Sequence, residues 1–130
     1  MSPTIFIVDD DDAVRDSLKL LLESYGMRVE DYGSVVEFAH HYPPDACGCL
    51  ILDQHLPEIT GLDFLASAKG RIGRLPVIMM TACSDATMRN RAVELGVSAY
   101  LEKPVDDEVL LPAIRRAMAH AQRCHKVEPR

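Results

Sequence analysis

The sequence predicts an α/β protein, a doubly wound sheet of parallel strands with helices on both faces. Two observations carry this. Short apolar runs alternate five times with stretches in which apolar residues recur at helical spacing. Four of those runs also deliver a polar residue at their carboxyl end: Ile5-Phe6-Ile7-Val8 runs into Asp9-Asp10-Asp11-Asp12, Cys49-Leu50-Ile51-Leu52 into Asp53, Val77-Ile78-Met79-Met80 into Thr81, and Ala99-Tyr100-Leu101-Glu102 into Lys103-Pro104. In an open parallel sheet the carboxyl ends of the strands are where ligands and chemistry sit.

Taken in order, the first strand is the run ending at Val8. Asp11 or Asp12 can then accept the free N–H groups that open a helix. Val14, Leu18, Leu21, Leu22 and Tyr25 form the inner stripe of that helix, with Arg15, Lys19 and Glu23 on the other side and Gly26 as the stop. Arg28 to Tyr32 is a mixed run expected at or near an edge. Ser34 and Glu37 fit a capping box opening a short helix that fails by Pro43-Pro44. Cys47 to Leu52 is too continuously apolar to be half exposed and is the central strand.

Thr60-Gly61-Leu62-Asp63 opens the third helix, with Leu62, Leu65 and Ala66 inward before Gly70 and Gly73 break it. Pro76 starts the fourth strand. Ser84 or Asp85 caps a helix with Met88, Ala92 and Leu95 inward and Gly96 as its end. After a short fifth strand, Asp106 to about Cys124 forms the last helix, with Val109, Ile114, Ala117, Met118 and Ala121 in its apolar stripe. Pro112 lies past the first turn of a helix beginning at Asp106, where it deletes a backbone hydrogen bond, so a late or distorted first turn is expected. Five such units make a flavodoxin-like (βα)5 sheet with strand order 2-1-3-4-5, which brings Asp9, Asp10 and Asp53 together.

With 130 residues, 48% of them apolar, a single domain with a full core is expected. The formal charge of -6, from 20 acidic against 14 basic side chains, argues against nucleic-acid binding by this segment. No charged leader precedes a long apolar stretch, and no run has membrane-spanning length, so a cytoplasmic protein without membrane association is expected. Cys47, Cys49, Cys83 and Cys124 lack a zinc-knuckle spacing and are expected as reduced thiols, mostly buried. The unordered spacing of His40, His41, His120 and His125 fits solvated surface, and Met79, Met80, Met88 and Met118 fit core filling.

Carboxylates within about 4 Å repel by roughly 4 kcal/mol per pair at an effective dielectric near 20, so Asp9, Asp10 and Asp53 stay close only if something cationic or protonated joins them. An oxygen-only cluster suits Mg2+, with Lys103 as a second counter-charge and Thr81 as a hydroxyl donor. This is the composition of a phosphoryl-handling site around a divalent cation.

The set Asp9-Asp10, Asp53, Thr81 and Lys103-Pro104 resembles the receiver domain of bacterial two-component response regulators, over about Thr4 to Ala119. In detail it is similar to receivers of the FixJ and NarL-like transcriptional regulators. The resemblance implies that Asp53 accepts a phosphoryl group from a cognate sensor histidine kinase. It implies that Asp10 binds Mg2+ directly (Mn2+ would substitute), Asp9 mostly through water, and His55 through its backbone carbonyl. Lys103 would clamp a phosphate oxygen, aimed by a cis Lys103-Pro104 bond. Thr81 would swing toward the phosphoryl group and Tyr100 would turn inward with it, repacking the surface of the fourth helix, fifth strand and fifth helix, where a partner or a second copy binds.

The chain departs from many such receivers at His55, two residues after Asp53, and at Cys83, two after Thr81. In such receivers both positions border the path of the hydrolytic water, so the resemblance implies that these side chains set the phosphoryl lifetime, the alternative being plain surface residues. Residues 1–121 are expected as the receiver. Residues 122–130, with Arg123, Lys126 and Arg130, would be a basic tail toward an output domain through which alone DNA would be contacted. The alternatives are a stand-alone receiver relaying phosphate or acting by protein–protein interaction, and a small aspartate-nucleophile phosphatase. The second needs an acid where His55 stands.

Overall fold

The structure is a computed structural model that describes residues 3–42, 47–72 and 75–127. Its elements follow in the expected alternation: β1 (Thr4–Val8), α1 (Asp12–Ser24), β2 (Arg28–Tyr32), α2 (Val35–His41), β3 (Gly48–Asp53), α3 (Gly61–Ile72), β4 (Val77–Thr81), α4 (Ala86–Glu94), β5 (Ala99–Glu102) and α5 (Asp107–Val127). All neighbouring strands are parallel, in the order β2-β1-β3-β4-β5, as expected from the sequence.

The three inner strands, β1, β3 and β4, are buried along their whole length, and their two-residue period sorts the core into two layers. Phe6, Val8, Leu50, Leu52, Val77 and Met79 face one way, against Phe38 of α2, Leu62 and Leu65 of α3 and Ala92 of α4. Ile5, Ile7, Cys49, Ile51, Ile78 and Met80 face the other, against Leu22 of α1 and Leu110, Ile114 and Ala117 of α5. Each such large apolar side chain contributes about 1.5–3 kcal/mol on burial, so the inner strands form the rigid platform from which the polar strand ends project.

Gly48 opens β3 with φ near +142°, and a Cβ there would lie 1.8 Å from the carbonyl oxygen of Thr4. Only glycine lets β3 pass β1 so closely, while Thr4 N–H donates to the Cys47 carbonyl at 3.1 Å.

Several local expectations are corrected. In α1, Asp11 is the cap, accepting from the N–H groups of Ala13 and Val14, but Tyr25 is 52% exposed rather than inward. Arg15, expected on the outer side, turns toward the sheet because acceptors on β2 and the β1 end draw it there. At α2, Ser34 accepts from Glu37 N–H as expected, whereas Glu37 returns its bond to Gly33 N–H, one residue earlier than a capping box predicts.

In α3, Thr60 caps, and Phe64, Leu65 and Ala68 are buried while Ala66 faces solvent; the helix runs through Gly70 to Ile72. Asp85 rather than Ser84 caps α4. The strand limits also move slightly: β3 starts at Gly48 and includes Asp53, and β4 starts at Val77. Pro43, Pro44 and Gly73 lie outside the described residues.

The last helix begins at Asp107, one residue after the acid expected to open it, and continues as helix through Pro112. Val109 is 49% exposed, and Leu110, Leu111 and Ala113 take the inner positions with Ile114 and Ala117. The helix passes residue 121 without interruption to Val127. The described cysteines also differ from expectation: Cys49 is buried with its thiol pKa pushed up to about 12 by that burial, Cys47 is half-buried, and Cys83 is exposed. No described helix is long and apolar enough to cross a membrane.

Candidate functional site

Strand register assembles the site. Val8 pairs with Leu52, so the residues that follow them, Asp9 and Asp53, lie side by side at the carboxyl edge of the sheet. Asp53 in turn pairs with Met80, which precedes Thr81. Thr81 pairs with Glu102, which precedes Lys103, and Lys103 N–H donates to the Thr81 carbonyl at 2.7 Å. Four strands therefore bring Asp9, Asp53, Thr81 and Lys103 to one edge.

Lys103 Nζ sits 3.0 Å from Asp9 Oδ2 and 3.2 Å from Asp53 Oδ1. It donates a hydrogen bond to Asp9, whereas the buried Asp53 Oδ1 receives no hydrogen bond of good geometry among the described residues. The Lys103-Pro104 bond is cis, as expected. Carboxylate oxygens of Asp9, Asp10 and Asp53 lie within 4.8 Å of one another. Asp9 and Asp53 are buried, while Asp10 is exposed and makes no ion pair or hydrogen bond with a described residue.

The electrostatics follow from this crowding. Burial, and then the charge of Asp9, push the Asp53 carboxyl above the ordinary carboxylate range against the opposing pull of Lys103. Burial works to lower the Lys103 ammonium, but its hydrogen bond to Asp9 and the charges of Asp9 and Asp53 outweigh that and raise it. One lysine thus serves two buried acids. A hard divalent cation fits the remaining demand: three carboxylates within 4.8 Å, one of them exposed and uncommitted, against a single ammonium.

Three supports were not legible as site residues in the sequence. Arg15, with its side chain 16% exposed, donates from Nη1 to the Asp9 carbonyl at 2.7 Å, from Nε to Asp31 Oδ2 at 3.1 Å and from Nη2 to Asp12 Oδ1 at 2.7 Å. The fork ties the acidic loop to β2 and α1. Gln54 is buried directly after Asp53; its side-chain Oε1 accepts from Leu62 N–H at 2.9 Å and its carbonyl from Gly61 N–H at 3.0 Å. Gly61 packs so closely that a Cβ would lie 2.7 Å from the Asp53 carbonyl oxygen. Only Gly61 carried a signal, as part of a helix start. Apart from Asp12, one turn earlier in α1, the partners of Arg15 and Gln54 lie on other elements or across a loop, and no periodicity reports them.

Thr81 is fully buried, and its hydroxyl lies 2.8 Å from the Cys83 carbonyl and 3.2 Å from Cys83 N–H. His55 is exposed, with Nε2 3.1 Å from Thr81 Oγ1. Cys83 therefore meets Thr81 through its backbone. Tyr100, half-buried, donates to Ser84 Oγ at 3.0 Å and lies 3.7 Å from Met88 Sδ, with the Arg89 guanidinium 5.9 Å from its ring centre. An open groove of about 720 Å³ lined by Val14, Leu18, Pro104 and Val105 reaches Lys103 on the α1 side, and none of the three clustered carboxylates lines it.

Comparison with known proteins places this architecture. The family model described as "Response regulator receiver domain" matches residues 5–115. Over 117 residues the chain is 37% identical to the transcriptional regulatory protein FixJ of Azorhizobium caulinodans, covering 90% of this chain and 56% of that protein. Over 126 residues it is 37% identical to the response regulator protein TodT of Pseudomonas putida, covering 97% of this chain and 56% of that protein. Among solved structures, the response regulator StyR superposes with a TM-score of 0.89 at 34% identity, over 98% of this chain and 65% of that one. FixJ-N superposes with a TM-score of 0.81 at 33% identity, over 92% and 96%. The chain spans little more than half the length of the curated relatives it matches.

Proposed function

Because the chain belongs to the response regulator receiver domain family, we propose that Asp53 is a phosphoacceptor that takes a phosphoryl group from a sensor histidine kinase with Mg2+ bound beside it. The observation that carries this reading is the buried Asp53 carboxylate, its Oδ1 3.2 Å from Lys103 Nζ and its oxygens clustered with those of two further acids. In the transfer, an Asp53 carboxylate oxygen forms a bond to phosphorus as the donor's P–N bond breaks, its electron pair staying on the departing imidazole nitrogen. Lys103 clamps a phosphoryl oxygen, and Thr81 turns its hydroxyl toward another.

Asp10, whose carboxylate is exposed and uncommitted, would hold the cation directly, with Asp53 and the His55 backbone carbonyl as the further protein ligands. Asp9 acts mostly through water, because its two oxygens already serve Lys103 and the N–H of Asp11. When bound, Mg2+ (or Mn2+) neutralises charge that builds up as the phosphoryl group arrives.

Phosphorylation replaces the single charge of the Asp53 carboxylate by an acyl phosphate of about -1.5 to -2, a net gain of up to about one negative charge at an already acidic edge, so Lys103 and Thr81 must rearrange around it. Tyr100 follows Thr81, and the face formed by α4, β5 and α5 repacks. Val93 on α4 and Val109 on α5 are 69% and 49% exposed, apolar surface available there to a partner or second copy. Activation then controls an output domain beyond this chain, in the cytoplasm, for transcription. Support comes from relatives of nearly twice the length, one named a transcriptional regulatory protein. Residues 1–121 would be the receiver, and 122–130 the start of the connection.

The test is the intact mass after incubation with acetyl phosphate and Mg2+. One acid-labile phosphoryl group should appear on the parent and none on Asp53→Asn, and EDTA should abolish it. Modification of Asp53→Asn, or none in the parent, would refute the assignment.

A further inference from the structure

We infer that the His55 side chain is a positioning residue that holds Thr81 away from Asp53, a brake on the acceptor site. The inference rests on the phosphoacceptor reading for its consequence, but on hydrogen-bond geometry for its existence. The Thr81 hydroxyl has one proton. It lies 2.8 Å from the Cys83 carbonyl oxygen, a separation that two oxygens keep only with a hydrogen between them, so the proton is directed there. Cys83 N–H donates back to Oγ1 from 3.2 Å. The remaining lone pair of Oγ1 faces His55 Nε2 at 3.1 Å, and with no hydroxyl proton left to give, the ring nitrogen must be the donor. His55 Nε2 therefore carries a hydrogen in this arrangement.

The consequence is a hydroxyl whose three bonds all point to the β4–α4 loop and to His55, and none to Asp53, Asp9 or Lys103 among the described residues. Thr81 is fully buried, so any bond it gives up cannot be replaced at once by bulk water. The two backbone bonds come with the loop and depend on no side chain but that of Thr81. The third is supplied by His55 alone, from an exposed position on the β3–α3 loop. To reach a phosphoryl group on Asp53, Thr81 must break it.

His55 thus links the loop after the acceptor to the loop after β4. Removing its ring should favour the Thr81 rotamer that serves Asp53, by the worth of one hydrogen bond, about three- to tenfold in the equilibrium.

Two measurements test this together. First, three-bond couplings report the Thr81 side-chain rotamer with no phosphoryl mimic present. A single rotamer is expected in the parent, with a second populated in His55→Ala and an intermediate result in His55→Gln, which keeps an N–H donor. The same rotamer distribution in parent and His55→Ala would overturn the proposal. Second, the affinity for beryllofluoride at saturating Mg2+ should be about three- to tenfold tighter in His55→Ala than in the parent, and that gain should vanish in a Thr81→Ala background. An equal gain in that background would overturn the route through Thr81. A rotamer shift in His55→Ala with no beryllofluoride binding by the parent would sustain the latch and sink the phosphoacceptor reading instead.

Discussion

Lys103 and Asp9 stand 94 positions apart in the chain and meet at 3.0 Å, the Nζ donating to a carboxylate that is 1% exposed. Asp53 shares the same ammonium from 3.2 Å. One cation thus holds two buried acids that would otherwise repel each other.

Replacing that cation is therefore expected to be costly. Lys103→Met should lose about 3 kcal/mol of unfolding free energy at pH 7, because two buried charges lose their partner. The Lys103 pKa is raised in the fold, so its stabilisation is complete below the unfolded value near 10.4 and is lost as pH rises through the folded one. Urea unfolding of parent and variant between pH 8 and 11 should show their difference shrinking at the alkaline end.

Asp53→Asn has the opposite sign. Burial and the charge of Asp9 raise the Asp53 pKa, so the fold binds this proton more tightly than the unfolded chain does. The charge costs stability above the raised pKa, and the cost disappears as pH falls through it toward the unfolded value near 3.9. In chelator, Asp53→Asn should be about 1 kcal/mol more stable than the parent at pH 7, with the gap closing on acidification. Mg2+ at a hundred times its Kd should then add about 2.7 kcal/mol to the parent and less to the variant. A variant less stable at pH 7 in chelator would mean that attraction to Lys103 outweighs burial.

Arg15 lies outside the cluster but holds its frame. Arg15→Met should cost about 2 kcal/mol of stability and weaken Mg2+ binding, since the Asp9 carbonyl and Asp31 lose a charged donor. Arg15→Lys should recover little of either, because a single ammonium cannot replace a fork that reaches three acceptors. Mg2+ titration followed by NMR, beside a urea melt, separates the two effects.

Pro112 sits inside α5 on an exposed position, five residues past the helix start. It withholds an N–H from the Glu108 carbonyl, so Pro112→Ala should stabilise the protein by about 1–3 kcal/mol, read as a higher urea midpoint at unchanged slope. A loss of stability would show that the fixed proline backbone is needed for the way α5 leaves β5.

The residues themselves determined the α/β class and the membership of the site, whereas the order 2-1-3-4-5 followed from the common arrangement of five such units. An apolar run buried on both faces can only be an inner strand, and parallel strands send their carboxyl ends to one edge. A polar residue closing each run therefore marks the site before any coordinates are known: Asp9, Asp53, Thr81 and Lys103 meet as their positions imply. Tertiary structure alone decided which way the borderline residues turn. Arg15 has helical neighbours compatible with either face, and the acceptors that draw it inward, Asp31 and the Asp9 carbonyl, belong to other segments. Val109 and Leu110 compete for one inner position, which the placement of α5 on β3 and β4 awards to Leu110. His55 and Thr81 are 26 residues apart, and nothing periodic links them; their bond exists because the loop after β3 closes over the end of the adjacent β4. Periodicity reports burial on an element's own axis, whereas hydrogen-bond partners are set by where separate elements finally come to rest.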